Sequence, residues 1–135
     1  YCNCNFLLNT GPRGNGSLNG MDAALLSEVG KWVRANKGFF YEAKASDLQC
    51  EGGFALTDGK YDYIVVKDVQ MEADPNVTIL EKRREIVLPE TVKIKSACWL
   101  DSGEKITIEN NRFAVMPFSY GTSLSVRAAK LEREK

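Results

Sequence analysis

The apolar residues of the chain change their spacing near Gly38, and this change limits the possible folds more than any other feature. Upstream of it, apolar residues recur at i, i+4, i+7 and i+8, which marks one stripe of an amphipathic helix. The stripe consists of Leu25, Val29, Trp32 and Val33. Asp22 lies near the start of this helix, where the helix dipole favours a negative charge. We expect Gly38 to end the helix and Trp32 to lie in the core.

Downstream of Gly38, short apolar runs alternate with polar residues at a period of two, and turn residues separate them. The predicted strands span residues 54–57, 61–69, 77–80, 86–88, 92–99, 106–108, 113–116 and 124–130. The predicted turns lie at Asp58-Gly59, Asp101-Ser102-Gly103 and Asn110-Asn111. A change of face near Ser96 predicts a β-bulge. The charged tail, residues 131–135, is expected to fray.

These patterns together predict an α+β, mostly β fold in two domains. Residues 1–38 form one β-turn-α unit, whose strand is expected at residues 4–8. Residues 39–135 form an antiparallel β-sandwich of about seven or eight strands.

The charge balance of the chain excludes two classes of partner. Lys and Arg total 18, Asp and Glu total 18, and the formal net charge is zero. Such a balance gives no electrostatic basis for binding nucleic acid or an anionic membrane. No apolar run approaches the roughly 20 residues that a membrane-spanning helix needs. The chain begins at Tyr1, so we expect a processed chain or a fragment and leave its localisation open.

Histidine is absent from the chain, and this excludes histidine-based acid–base catalysis and histidine-containing zinc sites within it. The four cysteines are Cys2, Cys4, Cys50 and Cys98. The Cys-x-Cys spacing at 2 and 4 differs from the C-x-x-C of zinc and redox motifs. We interpret this pair as small apolar residues on one face of a strand, with metal or disulfide chemistry as the alternative. We predict neither a metal site nor a cofactor.

Glycines at 14, 16 and 20 raise the question of a phosphate-binding loop. A dinucleotide-binding fingerprint requires G-x-G-x-x-G, and here the third glycine comes one position late. No second parallel strand and crossover helix follow, and Gly16-Ser17 lacks the lysine of a Walker-type loop. We therefore interpret the run as a turn that connects a strand to a helix.

The segments NFLLNTGPRGNGSL (residues 5–18) and LLSEVGKWVRANKGFFY (residues 25–41) resemble the retaining α-L-fucosidases of glycoside hydrolase family 29. Those enzymes carry N-L-L-L-N-V-G-P-x-x-D-G-x-I, followed by L-x-x-x-G-x-W-L-x-x-N-G-E-x-I-Y. The matching residues are Asn5, Leu7, Leu8, Asn9, Gly11, Pro12, Gly16, Gly30, Trp32, Asn36 and Tyr41. Residues 36–41 depart from the family's N-G-E-x-I-Y, and Asn15-Gly16 replaces Asp-Gly. The resemblance is strong over about the first 41 residues and loose thereafter.

The resemblance implies that residues 1–38 are the last strand and helix of a catalytic (β/α)₈-like barrel, and that residues 39–135 are its C-terminal β-sandwich. In the family the nucleophilic aspartate and the groups that hold fucose lie on earlier barrel strands. We therefore assign no catalytic residue to this chain and leave any substrate-binding residues unknown. The whole enzyme would hydrolyse α-L-fucosides, whereas this chain alone would be inactive and structural in role.

The same resemblance implies a partner. The chain is expected to bind the rest of the catalytic barrel or to self-associate, and to meet a fucosylated glycan only through the whole enzyme. The alternative is a stand-alone β-sandwich module that binds carbohydrate or protein.

Three further patterns remain, and the first two have two interpretations each. The triplets Asn15-Gly16-Ser17 and Asn76-Val77-Thr78 fit the N-glycosylation motif, although such triplets also arise by chance. A group of aromatic residues suits either a sugar-stacking platform or the core, and we favour the core. The group is Tyr61, Tyr63, Trp99, Phe113, Phe118 and Tyr120. The charged run 81–85 is interpreted as a solvated face.

Overall fold

The computed structural model describes residues 7–67, 69, 83–117 and 126–134, and within them the predicted α+β, mostly β fold is confirmed. Helix α1 spans Gly20–Ala35 and a π-helical turn spans Gly38–Glu42. Seven strands follow in the described residues. They are β1 (Lys44–Ala45), β2 (Phe54–Thr57), β3 (Asp62–Lys67), β4 (Arg84–Val87), β5 (Ile94–Trp99), β6 (Arg112–Val115) and β7 (Val126–Arg133).

The strands form two antiparallel sheets. The larger has five strands in the order β1-β2-β3-β7-β5, and the smaller pairs β4 with β6. The register of β5 on β7 shifts between Ile94 and Ser96, as the predicted bulge requires. Asn110 and Asn111 both adopt positive φ angles in the turn before β6, which a β-branched residue would resist.

The main core lies between the two sheets. Alternate residues of β3 and β7 point into it from the larger sheet, and alternate residues of β4 and β6 from the smaller. Its most deeply buried members are Ile64, Val66, Ile86, Val115, Ala129 and Leu131. A second, smaller cluster lies on the opposite face of the larger sheet, where Tyr63 and Val65 meet Phe39. The N-terminal segment therefore packs against the outer face of the sandwich.

Local capping explains where α1 begins. The side chain of Asn19 accepts a hydrogen bond from the backbone N–H of Met21, so the helix starts at Gly20, two residues before Asp22. The helix ends at Ala35, where Asn36 caps it by donating to the carbonyls of Trp32 and Val33. The prediction that Gly38 ends the helix is wrong, because Gly38 begins the π-helical turn.

Two other predictions are also wrong. Residues 106–108 form no strand, because only isolated bridges at Lys105 and Glu109 flank them and Ile106 donates a single bond to Ala97. The tail does not fray over residues 131–134, because β7 continues to Arg133 and Leu131 is fully buried.

Some predictions fall outside the described residues. These are the strand at 77–80 and the start of the strand at 124–130. Of the first predicted strand, residues 4–6 lie outside the description, and Leu7 and Leu8 belong to no strand and are exposed. The division of the chain into domains at residue 38 stays a prediction.

Candidate functional site

Aromatic contacts attach α1 to the sandwich. The indole Nε1 of Trp32 donates a hydrogen bond to the carbonyl oxygen of Leu100 at 3.2 Å. The Trp32 ring meets Phe40 edge to face, with 5.0 Å between the ring centroids. Phe39 in turn contacts Phe40 at 5.0 Å and Tyr63 at 5.3 Å. Trp32 is 39% exposed and links α1 to the sandwich. The prediction that it lies in the core is wrong.

Tyr63, whose ring contacts Phe39, also makes a part-buried hydrogen bond to Asp58. The Tyr63 hydroxyl donates to Asp58 Oδ2 at 2.6 Å, and the backbone N–H groups of Lys60 and Tyr61 donate to Asp58 Oδ1. Burial by itself raises the pKa of Asp58, but these hydrogen bonds outweigh it and hold that pKa below its usual value. Burial, followed by the bond to Asp58, raises the pKa of Tyr63.

Gly38 packs closely against the Asp58–Tyr63 pair. A Cβ at Gly38 would lie 2.9 Å from the Tyr63 hydroxyl and closer still to Asp58 Oδ2. Only glycine therefore lets the π-helical turn approach the Asp58–Tyr63 pair. The sequence pattern marked Gly38 as important but for a different reason.

One side of α1 carries an apolar surface that the described residues leave exposed. Met21, Leu25 and Val29 are 72%, 61% and 51% exposed, and Trp32 continues the row. We call these four residues the apolar face of α1. No residue of α1 is buried. Contiguous exposed apolar residues on a folded protein mark an interaction surface more often than scattered single ones do.

The loop before α1 is a closed turn. An isolated bridge pairs Pro12 with Leu18, and Gly16 adopts a φ of +80° within it. The side-chain oxygen of Asn15 accepts from both the backbone N–H and the hydroxyl of Ser17, at 3.1 and 2.8 Å. The glycine run is a turn before α1, as interpreted, but Leu7 and Leu8 do not form the strand expected to lead into it. Asn15 is exposed, and the second glycosylation triplet, at 76–78, lies outside the described residues.

An ion-pair network closes one end of the larger sheet. Arg133 donates from Nε and Nη2 to the two carboxylate oxygens of Asp62, at 2.5 and 2.8 Å. Nη2 also donates to Asp47 Oδ1 at 2.9 Å, and the Ser46 hydroxyl donates to Asp62 at 2.7 Å. Asp62 is 4% exposed, and the hydrogen bonds to the two aspartates raise the pKa of Arg133. No pattern in the sequence predicts this network.

Other predicted candidates are placed as follows. Tyr63, Trp99 and Phe113 are buried and cannot form a sugar-stacking platform. Tyr61 is half-buried with Lys130 Nζ 3.9 Å from its ring centroid. Four other candidates lie outside the described residues, namely Phe118, Tyr120, Cys2 and Cys4. Residues 81–82 of the charged run also lie outside them, and the described residues of that run, 83–85, are exposed.

The described part of the chain offers little for metal chemistry. Within it, no three His, Cys, Asp or Glu side chains lie close enough to hold a metal ion. Cys50 and Cys98 are free thiols, and burial raises the pKa of the Cys50 thiol. No described helix is long and apolar enough to cross a membrane.

No protein-family model matches the chain, and no curated protein matches it significantly. The chain is similar in structure to α-L-fucosidases. One is the α-L-fucosidase of glycoside hydrolase family 29 from Bacteroides thetaiotaomicron, with a TM-score of 0.48 and 18% identity over 94% of this chain. Another is α-L-fucosidase isoenzyme 1 from Paenibacillus thiaminolyticus, with a TM-score of 0.48 and 23% identity over 96% of this chain. The chain spans 28% and 30% of the length of these two enzymes.

Proposed function

We propose that this chain is the C-terminal part of a retaining α-L-fucosidase, in which it has a structural, accessory role. The whole enzyme would release α-L-fucose from glycoconjugates. The proposal is supported by the motif residues around Asn9, Gly11 and Pro12 and by the helix that follows them. The β-sandwich that follows this helix in the chain fits the order that the resemblance implies, in which a C-terminal sandwich comes after the last barrel helix.

The observation that carries the proposal is the exposed apolar face of α1. In a (β/α)₈ barrel each helix covers the outside of the strands with its apolar side. Met21, Leu25 and Val29 present such a side, and they stay largely exposed in the described residues, where Trp32 bonds to the sandwich. The remaining barrel units are therefore the partner that we propose for this face. In their absence, a second copy of the chain would cover it.

The charged groups of the sandwich support an accessory role. A retaining glycosidase needs two carboxyl groups about 5–5.5 Å apart, one as nucleophile and one as general acid–base. Among the described residues the most buried carboxylate is that of Asp62, which is bound by Arg133, and the carboxylate of Asp58 is bound by Tyr63. Such groups stabilise the fold and are not free to attack a sugar. The nucleophile would come from the rest of the enzyme.

The reading frame that encodes the chain provides the test. We expect it to extend upstream of Tyr1 by the length of a barrel, which is about 250 residues. The extended protein should hydrolyse 4-nitrophenyl α-L-fucoside, and proton NMR of the first product should show the α anomer, as retention requires. A start codon directly before Tyr1 would instead favour the stand-alone binding module.

A further inference from the structure

A polar cleft lies at the end of the larger sheet, beside the Asp62–Arg133 pair. The turn between β2 and β3, the end of β7 and the start of β5 surround it. Its lining includes Asp47, Lys60, Lys95, Glu132 and Arg133, and its volume is about 830 Å³. Sites for small molecules have volumes of about 300–1,000 Å³. The cleft is therefore large enough for a compact ligand.

The floor of this cleft is rigid. Arg133 holds Asp62 through two parallel N–H···O bonds, and Ser46 fixes Asp62 from the other side. A guanidinium bound in this way keeps one plane, because rotation would break both bonds. On the wall, Lys95 donates to Glu132 Oε1 at 2.8 Å, and Ser96 donates to Oε2 at 3.2 Å. The polar groups of the cleft are thus in place before any ligand arrives.

Hydrogen-bonding capacity remains on both the donor and the acceptor side. Arg133 Nη1 has no hydrogen-bond partner within the described ranges, although Nε and Nη2 are both used. Asp47 uses only Oδ1, and its side chain is 84% exposed. Lys60 also lines the cleft, and its ammonium group, which contacts Tyr61, has three N–H donors in all. A ligand group that both donates and accepts would satisfy these neighbours together.

The charges of the cleft nearly balance, which bears on the kind of ligand. Its lining carries three cationic side chains, Lys60, Lys95 and Arg133, and four carboxylates, Asp47, Asp62, Glu132 and Glu134. A simple anion would be repelled by the carboxylates and a simple cation by the basic groups. The lining side chains are mostly polar or charged, so a lipid or an aromatic ligand would cover these groups without replacing their hydrogen bonds to water.

We propose that this cleft binds a neutral saccharide through a pair of neighbouring hydroxyl groups. Each hydroxyl is both a donor and an acceptor, so one pair can accept from Arg133 Nη1 and Lys60 Nζ and donate to Asp47. The site lies on the sandwich and does not depend on the fucosidase role of the longer protein. It gives the sandwich a binding activity in addition to its structural one.

Titration of the full ¹⁵N-labelled chain with methyl α-L-fucoside and methyl β-D-galactoside tests this site. We expect saturable shift changes confined to amides around 46–47, 57–62 and 132–134 with at least one of these sugars. Asp47→Ala and Lys60→Ala should each weaken binding about fivefold, the loss of one hydrogen bond. Both side chains are exposed, so both variants should fold, and Lys105→Ala is the matched control on a distant exposed lysine.

Three results would overturn the proposal. The first is the absence of saturable shifts in the cleft with either sugar. The second is sugar binding by Asp47→Ala and Lys60→Ala that is as tight as binding by the control variant Lys105→Ala. The third is tighter binding of sodium glucuronate than of both neutral sugars, which would assign the cleft to anions. None of these results depends on whether the longer protein hydrolyses fucosides.

Discussion

The indole nitrogen of Trp32 on α1 donates a hydrogen bond to the carbonyl oxygen of Leu100, which lies 68 positions further along the chain. This bond joins the N-terminal unit to the outer face of the sandwich. Around it, the rings of Phe40, Phe39 and Tyr63 form a continuous row of edge-to-face contacts. The helix is therefore fixed at its C-terminal end, while its apolar face remains open towards its N-terminal end.

Replacing Trp32 by phenylalanine should test this attachment. Trp32→Phe keeps an aromatic ring beside Phe40 but removes the N–H donor to Leu100. We expect the free energy of unfolding in urea to fall by about 1 kcal/mol, the usual net value of one hydrogen bond. Tyr41→Phe is the control, since Tyr41 is 75% exposed. Equal stability of Trp32→Phe and the parent chain would mean that the bond contributes nothing.

The Asp58–Tyr63 bond predicts a dependence of stability on pH. The folded state holds the pKa of Asp58 below its unfolded value of 3.8. The corresponding stabilisation is therefore present above pH 3.8 and is lost as the pH falls through the lowered pKa. Tyr63→Phe removes the 2.6 Å bond and should cost about 1.5 kcal/mol at neutral pH.

The difference between the parent chain and Tyr63→Phe should shrink as the pH is lowered below 3.8, because Asp58 then becomes protonated in both. Urea unfolding at a series of pH values measures this difference. A constant difference from neutral pH to strong acid would show that the Asp58 charge is not involved.

The Arg133–Asp62 pair predicts that the last residue of β7 contributes to the free energy of unfolding. Arg133→Ala leaves the carboxylate of Asp62 buried without its cation, which costs about 3–5 kcal/mol for a fully buried pair. Because the Arg133 side chain is 34% exposed, we expect about 2 kcal/mol. Asp62→Asn in the same background should recover part of the loss. Glu134→Ala, an exposed neighbour, should leave the unfolding midpoint unchanged.

The apolar face of α1 predicts a small effect of mutation on stability and a clear effect on self-association. Leu25→Ser with Val29→Ser should change the stability of the isolated chain by about 0.5 kcal/mol or less, because both side chains are exposed there. Light scattering at several concentrations should show self-association of the parent chain and less of it for the double variant. A parent chain that stays monomeric at every concentration would contradict our account of this face.

The sequence predicted those parts of the fold that depend on local spacing. The stripe containing Leu25 and Trp32 has the period of a helix, and the strands around Ile64 and Phe113 have the period of two that a half-buried strand requires. The bulge near Ser96 was visible because a single extra residue reverses the face on which later side chains lie.

Features that depend on distant residues could not be predicted in the same way. Arg133 belongs to a charged tail by composition, and only its pairing with Asp62, 71 positions away, shows that the tail is ordered. Gly38 resembled a helix end, whereas its real constraint comes from Asp58 and Tyr63 across the turn. The polar cleft likewise brings together residues from four separate segments, none of which has a distinctive motif.

We propose that this chain completes a fucosidase without supplying its catalytic groups, and the turnover of 4-nitrophenyl α-L-fucoside decides between this proposal and a catalytic role for the chain itself. The isolated chain should show no turnover. The longer protein should be active, and Leu25→Asp with Val29→Asp should reduce that activity by placing charges against the barrel. Clear turnover by the isolated chain, abolished by changing one of its own carboxylates, would contradict the account.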